Sequence, residues 1–206
     1  MSVISNEIHE NGNGILVKGF YGYYWIPFRN TYIAENRIYN NTLKELENWY
    51  NIGIKVALAD NVTIANNEIH DNSKGIYLTT SDQGGWFSIK NNRVYDNDYG
   101  IYARDGGDCE IINNEFTNND YSIKMDQWDC MIERNLFKQN EYCLYVYYST
   151  VEGKYNKINN NTIGLTTVLS TTNMSFNNIN PESERSGGWR TCLASGEHVH
   201  LTQTPP

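Results

Sequence analysis

Five aspartates crowd three short stretches of this 206-residue chain: Asp82 in TTSDQGGW, Asp105 and Asp108 in RDGGD, and Asp126 and Asp129 in DQWD. Arg104 and Lys124 stand among them, with Tyr77, Trp86, Tyr102, Trp128, Tyr145 and Tyr147 close by. Carboxylates beside cations and flat apolar rings suit sugars, whose ring faces stack while their hydroxyls hydrogen-bond. Three chemistries use such a set. A pair drawn from Asp105, Asp108, Asp126 and Asp129 can act as acid and base on a glycosidic bond. A carboxylate cluster can hold Ca²⁺ that bridges to an acidic sugar. Lys124 or Arg104 can take a proton next to a uronate carboxyl if the acidities are matched. Tyr77, Trp86, Tyr102, Trp128, Tyr145 and Tyr147 would be stacking platforms. A plainer reading stands beside these. Arg104 and Asp126 form a surface ion pair, the Gly-Gly-acid stretches are turns, and the tyrosines pack on one another.

Whatever these residues do, a repeat must position them. A phrase with Asn before an apolar residue and Gly-Ile further on recurs: VISNEIHENGNGILV, IAENRIYNN…GIKV, IANNEIHDNSKGIYL, IKNNRVYDNDYGIYA, IINNEFTNNDYSIKM and IERNLFKQNEYCLYV, with a fainter INNNTIG. The first Asn of each falls at Asn6, Asn36, Asn67, Asn92, Asn114, Asn135 and Asn161, gaps of 30, 31, 25, 22, 21 and 26. Each unit holds three short stretches alternating by two, which is strand spacing, and none shows the helical i, i+3, i+4 pattern. So short a unit cannot bury its own apolar face and must stack on its copies. Three strands per turn, stacked in register, make an all-β parallel β-helix of about seven coils, with equivalent residues about 4.8 Å apart. Four inward columns result, headed by Val3, Ile8, Ile15 and Val17. Outward columns are Leu16-Lys55-Tyr77-Tyr102-Lys124-Tyr145 and Lys18-Ala57-Thr79-Arg104-Asp126-Tyr147. The three acidic stretches belong to consecutive coils and are expected side by side. Paired Asn mark corners. The Gly14-Gly53-Gly75-Gly100 column marks a third bend that calls for positive φ, broken at Ser122 and Cys143. Glu7-Arg37-Glu68-Arg93-Glu115 reads as a charge ladder, with His9 and His70 beside it as surface residues. Cys109 and Cys130 share an inward column and read as stacked buried thiols, close enough for a disulfide that nothing in the sequence requires.

The phrases IANNEIHDNSKGIYL and IKNNRVYDNDYGIYA resemble the right-handed parallel β-helix repeat family over about residues 3–180. That family includes carbohydrate-binding and sugar-hydrolase modules, polysaccharide lyases, alginate epimerases and a periplasmic accessory protein of nitrous oxide reductase. The resemblance implies a right-handed helix working outside the cytoplasm on a polysaccharide, with functional residues on the outer strand faces. The matching residues are scaffold, so no catalytic residue is carried over, and no Met or His cluster supports copper handling.

A formal charge of −8 and a pI near 5.0 argue against nucleic acid or an anionic membrane surface as partner. No apolar run has membrane-spanning length. The chain opens inside a repeat without a signal peptide, so either a secretion signal was removed or the chain is a segment of something longer, with a larger parent chain or a neighbouring domain as partner. Four sequons, at Asn40, Asn61, Asn160 and Asn173, carry no weight among thirty asparagines. Two insertions, 19–30 and 43–50, are long for a solenoid; the first is a binding loop or a lid, the second has room for a helical turn. Residues 1–180 are read as the solenoid and 181–206 as a non-repeat, disordered tail, in which His198 and His200 alternate. The sequence thus predicts a polysaccharide-binding solenoid that is also a candidate lyase, glycoside hydrolase or uronate epimerase. The rival is a non-catalytic surface module.

Overall fold

A computed structural model of the chain describes residues 1–21, 25–42, 51–80, 84–179, 192–193 and 198–203, with side chains up to 174 apart from 20, 21, 25 and 26. The insertion at 43–50 lies outside these residues, as do Asp82 and most of 181–206.

The described strands wind into three parallel faces. The first carries β1 (Ser2–Ile4), β6 (Phe28–Ala34), β9 (Ala59–Ala65), β12 (Trp86–Lys90), β15 (Gly107–Ile112), β18 (Trp128–Glu133), β21 (Thr150–Asn159), β23 (Thr171–Ile179) and β25 (His198–Gln203). The second carries β2 (Glu7–His9), β7 (Arg37–Tyr39), β10 (Glu68–His70), β13 (Arg93–Tyr95), β16 (Glu115–Thr117) and β19 (Leu136–Lys138), then the far half of β21. The third carries β3 (Asn13–Lys18), β8 (Ile52–Ala57), β11 (Lys74–Thr79), β14 (Tyr99–Arg104), β17 (Tyr121–Asp126), β20 (Tyr142–Tyr147), β22 (Ile163–Val168) and β24 (Cys192–Leu193). Within the loop at 19–30, β4 (Phe20–Tyr21) and β5 (Trp25–Ile26) form an antiparallel pair. Between 181 and 206, β24 pairs with β22 and β25 with β23, both in parallel.

The register is the one the apolar columns dictate. Val3, Ile33, Ile64, Ile89, Ile111 and Ile132 are successive partners. So are Ile15, Ile54, Ile76, Ile101, Ile123 and Leu144. From Ile33 onward these side chains are essentially inaccessible and form one dry core, as strands sealed between rungs should.

The corners show why asparagine is so abundant. The backbone N–H and the amide of each ladder Asn donate to the Oδ1 of the Asn one rung on. Asn92 does so to Asn114 at 2.9 and 3.0 Å, and Asn114 to Asn135 at 2.8 and 3.0 Å. A second ladder runs Asn11, Asn41, Asn72, Asn97, Asn119, Asn140, Asn161. The residue just before each ladder Asn takes the left-handed turn: Asn66, Asn91 and Asn113 at φ 56° in the first ladder, Asp71 and Asp96 in the second. That division of labour explains the Asn-Asn pairs: one turns, the other bonds.

Three expectations are corrected. The seventh member of the first ladder is Asn156, which accepts from Asn135; Asn161 belongs to the second ladder, so the period there is 21 and not 26. The Gly14-Gly53-Gly75-Gly100 column has no positive φ. It is small because a Cβ on Gly75 would lie 2.8 Å from the Gly100 carbonyl, and Ser122 and Cys143 continue the strand in register without a different turn. Cys109 and Cys130 are joined by a disulfide across adjacent rungs, Cα atoms 4.7 Å apart, instead of being free thiols.

The second face bears the charge ladder. Arg37 bridges Glu7 and Glu68, and Arg93 reaches Glu68. His70 is not a surface residue: it is buried, stacked between Tyr39 and Tyr95, with Nδ1 2.6 Å from Asp71.

Candidate functional site

The outward row on the third face exists as the columns require. Lys55, Tyr77, Tyr102, Lys124 and Tyr145 are successive partners, and Thr79–Arg104 and Asp126–Tyr147 are pairs in the row beside it. A further column, Lys74-Tyr99-Tyr121-Tyr142, runs along the same face. Its tyrosines stack face to face, at 5.1 Å between Tyr99 and Tyr121 and 4.6 Å between Tyr121 and Tyr142. Sequence reasoning missed this column because it sits just before the Gly position, where a corner was expected.

Stacking has a consequence for ligands. A ring whose faces are covered by its neighbours offers only its edge. The column's tyrosines end at Tyr99, which also stacks on Tyr102 at 5.2 Å between centroids, and beside Lys74 a cavity of about 450 Å³ opens, lined by Ile52, Ser73, Lys74, Tyr77, Asp98, Tyr99, Tyr102 and Arg104. Burial lowers the pKa of the Lys74 ammonium and raises those of the Tyr77 and Tyr99 phenols, so the tyrosines work here as neutral donors and not as bases. Lys124 lies 5.2–5.5 Å from the centroids of Tyr99, Tyr102, Tyr121 and Tyr145. Its charge is already engaged by four rings.

Arg104, Asp105 and Asp126 gather at the far end of this face. Arg104 Nε lies 3.1 Å from Asp105 Oδ2, which also accepts from Thr79 Oγ1 at 3.0 Å. The ion pair expected between Arg104 and Asp126 is therefore made to Asp105 instead. Asp126 is half-buried, and its Oδ1 is buried with no hydrogen-bond partner. Burial first, and the Asp105 charge second, raise its pKa from the ordinary aspartate value.

The three acidic stretches do not gather on one surface. Asp105 and Gln127 are themselves the left-handed corner residues, at φ 66° and 64°. Beyond each corner the chain enters the first face. Trp86, Asp108 and Asp129 form an exposed row there, round the corner from Asp126. Trp128 points inward: it is 1 % exposed and packs against Phe87 at 5.3 Å between centroids, so it is core and not a platform. Its ring fills the space a Cβ on Gly107 would need, at 2.8 Å, which accounts for the second glycine of RDGGD together with its φ of 144°. Tyr145 and Tyr147 lie on the third face, half-buried, with Tyr147 in edge contact with Tyr148. Among the described residues, no group of three or more His, Cys, Asp or Glu side chains is placed to hold a metal ion, and no helix is long and apolar enough to cross a membrane. His198 and His200 fall in β25, where side chains lie outside the described residues.

A family model described as "Right handed beta helix region" matches residues 1–130 and 87–180. The chain belongs to that family, an all-β parallel solenoid in which each rung sits on the last. No curated protein and no solved structure is significantly similar to it.

Proposed function

We propose that this β-helix binds a polysaccharide on its third face, outside the cytoplasm. The observation that carries the reading is the cavity where Tyr77, Tyr99 and Tyr102 meet Lys74, Asp98 and Arg104. Apolar rings with a few charged and hydroxyl groups around them match the two-sided chemistry of a pyranose. The Cys109–Cys130 disulfide supports an oxidising compartment, and the absence of a basic surplus is compatible with a glycan partner. Trp86, Asp108 and Asp129 lie on another face and are not part of this site. A glycan array spanning neutral and acidic polysaccharides tests the reading. Binding that is lost in Tyr102→Leu and Arg104→Ala supports it. Absence of any ligand removes it and leaves the rival reading, a scaffold that presents loops or joins domains.

One observation favours cleavage as a second activity at the same face. Asp126, half-buried with Oδ1 unpartnered, has its pKa raised by burial and by the charge of Asp105, which Arg104 and Thr79 hold in place. Two carboxyls in unlike environments are what acid–base cleavage of a glycosidic bond requires. Asp126 would be the acid and Asp105 the base or nucleophile. Release of reducing ends from the array ligands, abolished in Asp126→Asn, is the expected result. Binding without any product leaves a lectin.

A further inference from the structure

We propose that a polar cavity on the corner between the second and third faces is a second subsite for the same glycan and takes uncharged sugar units, so that the protein selects a neutral polysaccharide. The inference rests on the glycan reading of the third face. The cavity has a volume of about 590 Å³ and is lined by Asn118, Asp120, Gln139, Glu141, Asn160 and Thr162, together with the ladder residues Asn119 and Asn140. One column of residues joins it to the third-face cavity. Ser73 and Asp98 line the first cavity, and Asp120, Glu141 and Thr162 follow them rung by rung in the second. The backbone fixes that order: the N–H of Tyr121 donates to the Asp98 carbonyl, that of Tyr142 to Asp120 and that of Ile163 to Glu141. No rung separates the two cavities. At the ordinary strand separation of about 4.8 Å per rung, one oligosaccharide reaches both.

The lining differs from the rest of its corner. On earlier rungs the outward side chains pair with one another: Thr42 Oγ1 donates to Asn40 at 3.2 Å, Ser73 Oγ to Asp98 at 2.9 Å, and the Asn118 amide to Asp96. Asp120, Gln139, Glu141, Asn160 and Thr162 are exposed, and their side chains make no hydrogen bond or ion pair among the described residues. Amides, a hydroxyl and carboxylates side by side offer donors and acceptors together, which fits sugar hydroxyls that both give and accept. The ladder beneath holds the rungs in place, Asn119 donating to Asn140 at 3.1 Å and Asn140 to Asn161 at 2.8 Å, so little order remains to be imposed on binding. Gln139 is the turning residue of its rung, at φ 56°. The same position holds Asn40, Asp71, Asp96, Asn118 and Asn160 on the neighbouring rungs, the short types that suit a left-handed turn. Glutamine there brings a longer amide into the cavity. Charge sets the class of sugar. Two carboxylates and no Lys, Arg or His line the cavity among the described residues, which repels a uronate and leaves a neutral unit unopposed.

The test is calorimetric titration of the full chain with hexasaccharides of two kinds, neutral (cello-, xylo- and manno-) and uronate (galacturonate and mannuronate). The same titrations are run on Gln139→Gly, Glu141→Lys and Tyr102→Leu. Glycine accepts the left-handed turn without strain and position 141 is exposed, so the first two variants should melt close to the parent protein. The inference predicts that the tightest ligand is neutral and that Gln139→Gly weakens it about fivefold, the loss of one hydrogen bond. It also predicts that Glu141→Lys shifts the preference toward uronate hexamers by about tenfold, as reversal of one surface charge allows. If Gln139→Gly and Glu141→Lys bind as the parent does while Tyr102→Leu does not, the inference is overturned and the glycan reading stands. Binding confined to the uronate hexamers has the same meaning. No binding by any hexasaccharide overturns both.

Discussion

Two tryptophans of like sequence surroundings have opposite fates, and the cause is one backbone angle. Trp86 is 44 % exposed and Trp128 is 1 % exposed. Both read as loop residues beside acids. Gln127 takes the corner at φ 64°, so Trp128 is already in strand and facing in, while Trp86 aligns one position later with the outward Asp108. Residue type did not reveal this; only the placement of the left-handed residue does. Asp126 carries a prediction at the same scale. Its carboxyl has a higher pKa folded than unfolded, so the folded state binds the proton more tightly. Stability is then lost as pH rises from the ordinary carboxylate value through the folded one, and is unaffected below both. Asp126→Asn should therefore raise the melting temperature at pH 7 and leave it unchanged near pH 3. A thermal melt at the two pH values checks the sign. A lower melting temperature for the variant at pH 7 would mean that the carboxylate is stabilised by its surroundings instead.

At the scale of the rung, the corners bear more specificity than the strands. An Asn in the middle of a ladder serves several partners at once. Asn114 accepts from the Asn92 backbone and amide, and gives its own amide to the Ile89 and Ile112 carbonyls and to Asn135. Asn114→Ala leaves several of these groups buried and unpaired, and should cost about 3 kcal/mol or more. Asn6 is at the start of its ladder and half open to water, so Asn6→Ala should cost about 1 kcal/mol. Urea unfolding of both variants checks the contrast, and equal losses would mean the ladder is not what holds the corners. The ladders were legible in the sequence up to Asn135 because a corner written Asn-Asn, or polar-Asn, repeats before every second-face strand. At the seventh rung Tyr155 is the turning residue, at φ 61°, inside one long strand, and the phrase disguises the true ladder member Asn156. The glycine column was legible as a column but not for its cause, because steric exclusion by the neighbouring rung's carbonyl and a positive-φ requirement select the same residue.

For the whole molecule, fold was read more fully than site for a physical reason. A solenoid repeats its core, so each apolar column is tested on every rung, and the columns agree with the observed register. A site is made once. The sequence placed Tyr77, Tyr102, Lys124, Arg104 and Asp126 on one face, and there they lie. It did not show that Asp108, Asp129 and Trp86 turn onto another, nor that the cavity would open at Lys74, since both depend on where a corner falls within two residues. Backbone amide NMR during titration with the array's best glycan ligand tests the central claim most directly. The account predicts shifts in the strands Lys74–Thr79 and Tyr99–Arg104 and at Ser73 and Asp98, with the row Trp86, Asp108, Asp129 unmoved. Shifts confined to that row, or to the second-face charge ladder, would contradict it.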